Sequence, residues 1–561
     1  MPMTRRGLAT IAVLAAAASE AAAQGTTPAA PEPDTTVSES PFFGDKIEDE
    51  STADRTLWQG SLTSTTLYYG ETADVAAPVA DGGSGAQNAS PFQRFFTDLR
   101  AQLDAKHIAG GRWDVRLDAR GRFNQNPGQA SGPPSGPPGG FPTRTQSGTF
   151  GGNELDLREL YAVRAGDSFD LFIGRQQVLD MAGIKIDGLR LAYAASETWT
   201  LFGFGGLYPV RGSRSITTDY PQGVDAMGNP AGVVMPIAAG AGAAYRTSLA
   251  YGSLGAGGIL PLGDDKVAQG AEPPRVFVSD QGYLRRGQAL DVFHLLVLDV
   301  AGADGVALTN GSLGVNWKPA ERIHVTAAVH HVDTETLNVQ AQTQLETPDP
   351  TMGVVQNNIT VQRIASDSLR LGLSVGLGRL QRFEISTQAA VRRRPDVTVP
   401  DATGQPVVIA PEARGAELFL QAVDRRSILG LRIAASVARF FGFGDANVNK
   451  SQSVNARLAA SREFGNGRGE WELEGGFIAA QDDNLGVVCD FAQLLTCYGS
   501  SSLTSVSGGG SIFYRLGSSW LAMASAQIAT LSLTTTDNAN GQVAQPPVLS
   551  TTGFLRIAYR F

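Results

Sequence analysis

The sequence predicts an all-β protein, a transmembrane antiparallel β-barrel of about 18 strands (16 to 20). Three observations predict it: an export signal at the start of the chain, period-two alternation of apolar and polar residues, and a regular succession of short and long connections. The mean hydropathy of −0.08 does not oppose this fold. Lipid-facing and lumen-facing residues alternate along a barrel strand, so their hydropathies average out.

The first 23 residues have the organisation of a secretory signal peptide. Arg5 and Arg6 form a basic start, Leu8 to Ala18 an apolar run, and Ala21 to Ala23 a small-residue cleavage site. The apolar run is shorter than the roughly 20 residues of a spanning helix. Residues 24 to 56 are rich in Pro, Thr, Asp and Glu and have no apolar period, which predicts a flexible periplasmic segment before a barrel of residues 57 to 561.

Alternation is clearest from Trp113 to Asn124, where every odd position is apolar or small and every even position is polar. The same pattern occurs at Leu369 to Leu377, Phe383 to Arg392, Leu429 to Val437, Val454 to Ser461 and Trp471 to Ala479. A soluble β-sandwich would turn its polar faces to bulk water. In a barrel they line the lumen.

Connection lengths distinguish these two folds. Short turns are predicted at Gly166-Asp167, Lys318 to Glu321, Gly378 to Leu380, Asp424 to Arg426 and Gly517 to Ser519. Long connections alternate with them at Gln125 to Gly152, Arg211 to Met235, Thr334 to Gln362, Pro395 to Ala413, Gln481 to Ser501 and Thr534 to Ser550. Short periplasmic turns and long extracellular loops are typical of outer-membrane barrels. The stretch from Ala239 to Val306 has the least certain strand count.

The last strand, Gly553 to Phe561, places Leu555, Ile557, Tyr559 and Phe561 on one face and Arg556 and Arg560 on the other. It resembles the C-terminal signature that bacterial outer-membrane barrels present to their assembly machinery. We therefore expect the outer membrane of a Gram-negative bacterium as the location, with lipid, lipopolysaccharide and the barrel-assembly machinery as partners.

Residues Leu171 to Gln177 and Ile186 to Leu191 contain the sequences GRQ and DGLR. Together with Glu159-Leu160-Tyr161 and the Trp317-Lys318-Pro319 turn, they resemble the alginate-export family of outer-membrane porins, over the region from about Phe95 onward. The resemblance implies a barrel of about 18 strands with an arginine-rich lumen that passes an anionic polysaccharide or smaller anionic solutes.

The basic residues are 39 Arg and only 6 Lys. A guanidinium group stays charged and binds carboxylates through two hydrogen bonds, so luminal arginines would attract uronates or other carboxylate solutes. The candidate pore-lining residues are Arg100, Arg116, Arg120, Arg122, Arg158, Arg175, Asp187, Arg190, Arg382, Arg432 and Arg457. Alternatively, these arginines pair with luminal Asp and Glu and only hold the wall, for example Arg116 with Asp98 or Asp114.

Arg175 does not fit strict alternation, because it shares parity with apolar Leu171 and Ile173 and would point at lipid. A guanidinium group at the bilayer midplane costs about 2–4 kcal/mol. Arg175 must therefore lie at a strand end, follow a bulge or belong to a segment folded inward, with Asp187 as a possible partner.

Other function classes have little support in the sequence. The net charge of −9 argues against nucleic acid, and the histidines lack a metal-ligand cluster. No nucleophile motif of the G-x-S-x-G type is present, so we expect neither an enzyme nor a cofactor. Cys489 and Cys497 lie eight residues apart among turn residues, which predicts a small loop disulfide in an oxidising compartment. The alternative to a channel is a non-transporting envelope barrel that binds partners through its loops or its N-terminal segment.

Overall fold

The structure of the protein is a computed structural model. It describes residues 56–72, 92–108, 111–125, 153–209, 216, 219–220, 222–224, 230–233, 235–262, 274–302, 305–334, 364–378, 381–400, 406–410, 412–443, 450–483, 501–537, 541–544 and 547–561. The predicted signal peptide, the N-terminal segment up to residue 55 and the Cys489–Cys497 disulfide lie outside these residues.

The described strands form one closed antiparallel barrel of 22 strands. They are β1 Leu57–Thr72, β2 Phe92–Lys106, β3 Trp113–Asn124, β4 Glu154–Arg164, β5 Phe169–Val178, β6 Ile184–Ala194, β7 Trp199–Leu207, β8 Met235–Arg246, β9 Ala250–Leu262, β10 Arg275–Arg286, β11 Leu290–Ala301, β12 Ala307–Ala320, β13 Ile323–Thr334, β14 Ile364–Leu377, β15 Phe383–Arg394, β16 Ala413–Ile428, β17 Leu431–Phe443, β18 Lys450–Phe464, β19 Gly469–Asp483, β20 Ser501–Leu516, β21 Trp520–Asp537 and β22 Val548–Arg560.

Each strand pairs with its neighbours in the chain, and the last strand returns to the first. β22 pairs with β1 from Ser61–Arg560 to Thr72–Leu549, which closes the sheet and leaves it without an edge there. The C-terminal residue extends this seam, since the backbones of Phe561 and Gly60 exchange hydrogen bonds of 3.0 and 3.1 Å. The predicted final strand is therefore the closing strand of the barrel.

The two faces of the wall differ in polarity. On β3 the side chains of Trp113 and Phe123 are exposed on the outer face, whereas Arg120 and Arg122 on the inner face are enclosed by polar neighbours. The same division recurs around the barrel, with exposed leucines such as Leu371 and Leu458 on the outer positions. Lipid is compatible only with an apolar surface, so this outer face is the one that contacts the membrane.

The two ends of the barrel also differ. Short turns join β2–β3, β4–β5 and every second pair thereafter, while most of the remaining connections are long. All six tryptophans of the chain, Trp58, Trp113, Trp199, Trp317, Trp471 and Trp520, lie on the outer face at the end with the short turns. Aromatic side chains of this kind mark a membrane–water interface. This girdle of tryptophans therefore marks the boundary of the apolar band at the end with the short turns, here called the lower end.

The predicted number of about 18 strands was too low. Four strands, β8 to β11, lie within or overlap the uncertain stretch from Ala239 to Val306. The first two of them, β8 and β9, are rich in glycine and alanine and have little polar contrast, so period two is hard to recognise there. The predicted turn at Asp424 to Arg426 was also wrong: β16 continues past an irregularity between Asp424 and Ile428, and the turn is at Leu429-Gly430.

Two of the long connections contain small hairpins, Gln222–Val224 with Pro230–Val233 and Val397–Pro400 with Pro406–Ala410. A short segment, Gly541–Ala544, pairs with the upper end of β21. Among the residues that the structure describes, no helix has the length and apolar character needed to span a membrane.

Candidate functional site

The hairpin of β5 and β6 leaves the barrel wall before its tip. β5 pairs with β4 only as far as Arg175, opposite Leu160, and β6 pairs with β7 only as far as Asp187. The two strands remain paired with each other up to Val178 and Ile184. Gly174 has a φ of +125° at the point of departure, a conformation that side chains with a Cβ rarely adopt. Residues 176–186 therefore form a tip, here called the inward tip.

Arg175 lies at this point of departure, which explains why it shares parity with apolar residues and yet does not face lipid. Its Nε donates to Asp187 Oδ1 at 2.6 Å, and its Nη1 donates to Asp219 Oδ2 at 2.5 Å and to the Leu157 carbonyl at 3.1 Å. The side chain of Asp219 is 2% exposed, and Tyr220 donates to the second oxygen of Asp187 at 2.6 Å. The guanidinium group is thus enclosed by carboxylates and not by lipid. Burial and its hydrogen bond to Asp187 raise the pKa of Tyr220 above its usual range.

The inward tip docks against the inner face of β8 to β10. Its single helical turn, Leu179–Met181, presents two backbone carbonyls to the wall. Ser253 donates to the Asp180 carbonyl at 2.9 Å, and Gln281 donates to the Leu179 carbonyl at 2.7 Å. These bonds join residues that are 73 and 102 positions apart in the chain.

Apolar packing between the tip and the wall forms the main hydrophobic core of the described chain, and it lies inside the barrel. Met181 and Ile186 are fully buried and pack with inner-face residues such as Phe202, Ile259 and Phe277. Fully burying side chains of this size contributes about 1.5–3 kcal/mol each. The tip is therefore a fixed part of the inner wall that narrows the lumen on the side of β8 to β10.

A buried ion pair also stabilises the inward tip. Arg190 on β6 binds Asp180, and its guanidinium lies 4.8 Å from the ring centroid of Phe172. Burial raises the pKa of Asp180 and outweighs the opposing attraction of Arg190. Arg175 and Arg190 are 8% and 6% exposed, so neither predicted pore-lining residue is open to the lumen. Both hold the inward tip in place.

The predicted arginines of β2 to β4 do face inward, and they form a ladder of ion pairs. The ladder consists of Arg100 with Asp118 at 2.6 Å, Arg116 with Glu159 at 2.7 Å, Arg120 with Glu154 at 2.9 Å, Arg122 with Asp98 at 2.7 Å and Arg158 with Asp156 at 3.1 Å. The alternative in which luminal arginines pair with carboxylates thus describes this sector. The nearest carboxylate to Arg116 is that of Glu159 on β4, and not that of Asp98 or Asp114, as was predicted.

The remaining predicted arginines lie in three different settings. Arg457 on β18 binds Glu472 at 2.9 Å and also Glu474, both on β19. Arg432 faces inward near the lower end of β17. Arg382 is not on a strand: it lies in the turn before β15 and is exposed. The interval between Gly378 and Phe383 is too short to distinguish turn from strand by period alone.

Two inward arginines that lie away from the strand ends, and that are not among the candidate pore-lining residues, make no ion pair within the described residues. Arg370 on β14 and Arg556 on β22 are exposed, and neither makes a salt bridge within the described residues. Both lie inside the strand, away from its ends. The alternation of the last strand already places Arg556 opposite apolar Leu555, and the same parity relative to Leu371 identifies the face of Arg370. Glu470, a carboxylate without an ion pair in the described part of the chain, lies one residue from the lower end of β19.

At the loop end, Glu412 is shared by two arginines. The Nε atoms of Arg393 and Arg414 donate to the same carboxylate oxygen at 2.6 and 2.8 Å. These two hydrogen bonds lower the pKa of Glu412 to about 2. No group of three or more metal-ligating side chains occurs among the described residues.

No family model and no curated protein matches this chain. Solved structures do resemble it. OpdQ of Pseudomonas aeruginosa has 9% identity, covers 90% of this chain and 97% of its own, and has a TM-score of 0.35. OccAB4 of Acinetobacter baumannii has 10% identity with 91% and 100% coverage and a TM-score of 0.36, and the OmpT trimer form of Vibrio cholerae has 9% identity with 90% and 99% coverage and a TM-score of 0.31. These neighbours are outer-membrane β-barrel proteins of Gram-negative bacteria.

Proposed function

We propose that this barrel is an outer-membrane channel that passes anionic solutes, with uronate-containing oligosaccharides of the alginate type as the candidate cargo. The observation that carries the proposal is that two inward arginines, Arg370 and Arg556, have no carboxylate partner among the described residues, in a wide charged lumen. The apolar outer face and the tryptophan girdle support the membrane location.

The size of the barrel supports a channel. With strands about 4.8 Å apart and tilted by about 40°, 22 strands give a backbone diameter of about 44 Å. Side chains projecting from the wall cannot fill such a section, whereas they can in a barrel of eight strands. The inward tip occupies only the side next to β8 to β10.

The distribution of charge supports a preference for anions. In the sector of β2 to β4, each of the five predicted arginines has a carboxylate within 3.1 Å, so the positive electrostatic potential that it adds to the lumen is weak. Arg370 and Arg556 are eight strands apart, which places unpaired positive charge on two different sides of the lumen. Weak contacts of this kind attract a solute without retaining it.

The proposal is tested by reconstitution in a planar bilayer and in liposomes. We expect stable open-channel conductance, a higher permeability for chloride than for potassium, and faster uptake of oligouronates than of neutral oligosaccharides of equal size. An absence of conductance would exclude the channel. Cation preference would exclude the role of the arginines, and equal uptake of charged and neutral sugars would exclude the uronate cargo.

A further inference from the structure

Two ionisable side chains lie on the outer face of the barrel in the middle of the apolar band. Asp280 on β10 and His294 on β11 have the same parity as exposed Leu284 and Leu296. The residues of opposite parity, such as Phe277 and Val297, belong to the core inside the barrel. Asp280 and His294 therefore face the lipid.

Their depth follows from the strands that carry them. β10 extends from Arg275 to Arg286, so Asp280 is five residues from one end and six from the other. His294 lies four residues above Leu290, which is paired with Trp317 of the girdle. At about 2.4 Å of height per tilted residue, this places the imidazole about 10 Å above the tryptophans.

The pair satisfies only part of its hydrogen-bonding capacity. His294 Nε2 and Asp280 Oδ2 are 3.0 Å apart, and the side chains are 36% and 47% exposed. Nδ1 of His294 and Oδ1 of Asp280 make no hydrogen bond within the described residues. Hydrocarbon offers these atoms no partner, so in a lone barrel one donor or acceptor on each side chain would stay unsatisfied in lipid.

The neighbouring outer surface is suited to close contact with another protein. Lipid-facing positions of β7 to β9 carry small residues, including Gly203, Ala241 and Ala256. Small residues allow two membrane-embedded surfaces to approach closely, and polar groups then hydrogen-bond across the interface. We call the lipid-facing residues of β7 to β11 the outer patch.

We infer that the outer patch is the contact surface between two copies of this chain in the membrane. A partner must offer a donor and an acceptor at the same depth as Asp280 and His294. A second copy inserted in the same orientation presents both groups at this depth, so that across a two-fold contact Nδ1 of His294 in one copy meets Oδ1 of Asp280 in the other. No other partner is guaranteed to present complementary groups at this height. The inference is independent of the proposed channel function.

Removal of the pair tests this inference. The variant Asp280→Leu/His294→Leu is compatible with lipid, and a matched control, Thr504→Leu/Thr530→Leu, replaces two exposed outer-face residues of β20 and β21. Each protein is extracted from membranes in a copolymer that retains lipid and its mass is measured by native mass spectrometry. Heat-modifiable gel mobility verifies that the barrel is folded. We expect oligomers for the wild type and the control and monomers for the Asp280/His294 variant.

Cross-linking gives a second measurement that does not depend on the folding of that variant. In a chain with both natural cysteines replaced by serine, Leu296→Cys lies in the outer patch and Ile528→Cys lies far from it on β21. A short bifunctional maleimide should link copies through position 296 and not through position 528. A monomeric wild type, an oligomeric Asp280/His294 variant, or equal cross-linking at both positions would each overturn the inference.

Discussion

Replacement of the two unpaired luminal arginines should weaken anion selectivity. The variant Arg370→Gln/Arg556→Gln removes two positive charges that have no carboxylate partner among the described residues. A chloride ion that passes about 5 Å from a guanidinium group in water gains about 0.8 kcal/mol, equal to about a fourfold local enrichment. Only ions that pass close to the wall feel this attraction in so wide a lumen, so we expect the chloride-to-potassium permeability ratio to fall by less than about fourfold.

The measurement is the reversal potential of single channels across a KCl gradient. At about 0.1 M salt the Debye length of about 10 Å leaves this attraction effective, and at 1 M it shrinks to about 3 Å. The difference between wild type and variant should thus be largest at low salt and nearly vanish at high salt. Unchanged selectivity at low salt would refute the reasoning.

A neutral pair provides the matched control. Arg100 and Asp118 are joined by two hydrogen bonds of 2.9 and 2.6 Å, so the variant Arg100→Gln/Asp118→Asn removes a cation and an anion together. It leaves the net luminal charge unchanged, and its reversal potential should equal that of the wild type. A shift as large as that of the Arg370/Arg556 variant would mean that the paired ladder also sets selectivity.

Three further changes test the inward tip and the loop end. Arg175→Leu leaves buried Asp219 without its cation, and loss of one partner of such a pair costs about 3–5 kcal/mol in the free energy of unfolding, measured in urea, whereas Arg175→Lys should cost less. Gly255→Leu places a side chain on the Sδ of Met181 and should displace the tip at a cost of about 1–3 kcal/mol. The fluctuations of the single-channel current should increase in this variant, and the additional substitution Met181→Ala should reduce them again. Unchanged fluctuations in the Gly255→Leu variant would contradict the docked tip. Because the pKa of Glu412 is lowered from 4.5 to about 2, its stabilising effect is present above pH 4.5 and lost as the pH falls toward 2. The difference in unfolding midpoint between wild type and Glu412→Gln should shrink over that interval, and a constant difference would argue against the shared ion pair.

The closing strand and the inner and outer faces of individual strands were predicted correctly, because both are local properties. Gly553 to Phe561 shows its two faces without reference to any other strand. Trp113 to Asn124 does the same, and its prediction agrees with β3. The strand count failed where this local contrast is weak, in the stretch from Ala239 to Val306 that contains much of β8 to β11.

For the candidate site, the alternation predicted which side chains face inward but not which of them contact one another. Alternation places Arg116 and Arg122 on the inner face, but it does not say which carboxylate each one meets, since that depends on the register between β2, β3 and β4. It also cannot separate paired arginines from unpaired Arg370 and Arg556, because the distinction depends on neighbours from other strands.

The sequence by itself determined that this chain has alternating strands, a closing C-terminal strand and unequal ends, since each is encoded in a few consecutive residues. Only the tertiary structure decided that there are 22 strands and that Arg175 is buried among carboxylates. It also decided that the tip around Met181 packs inside the barrel. These features rest on contacts such as that between Leu179 and Gln281, 102 residues apart, and no local pattern specifies contacts at that distance.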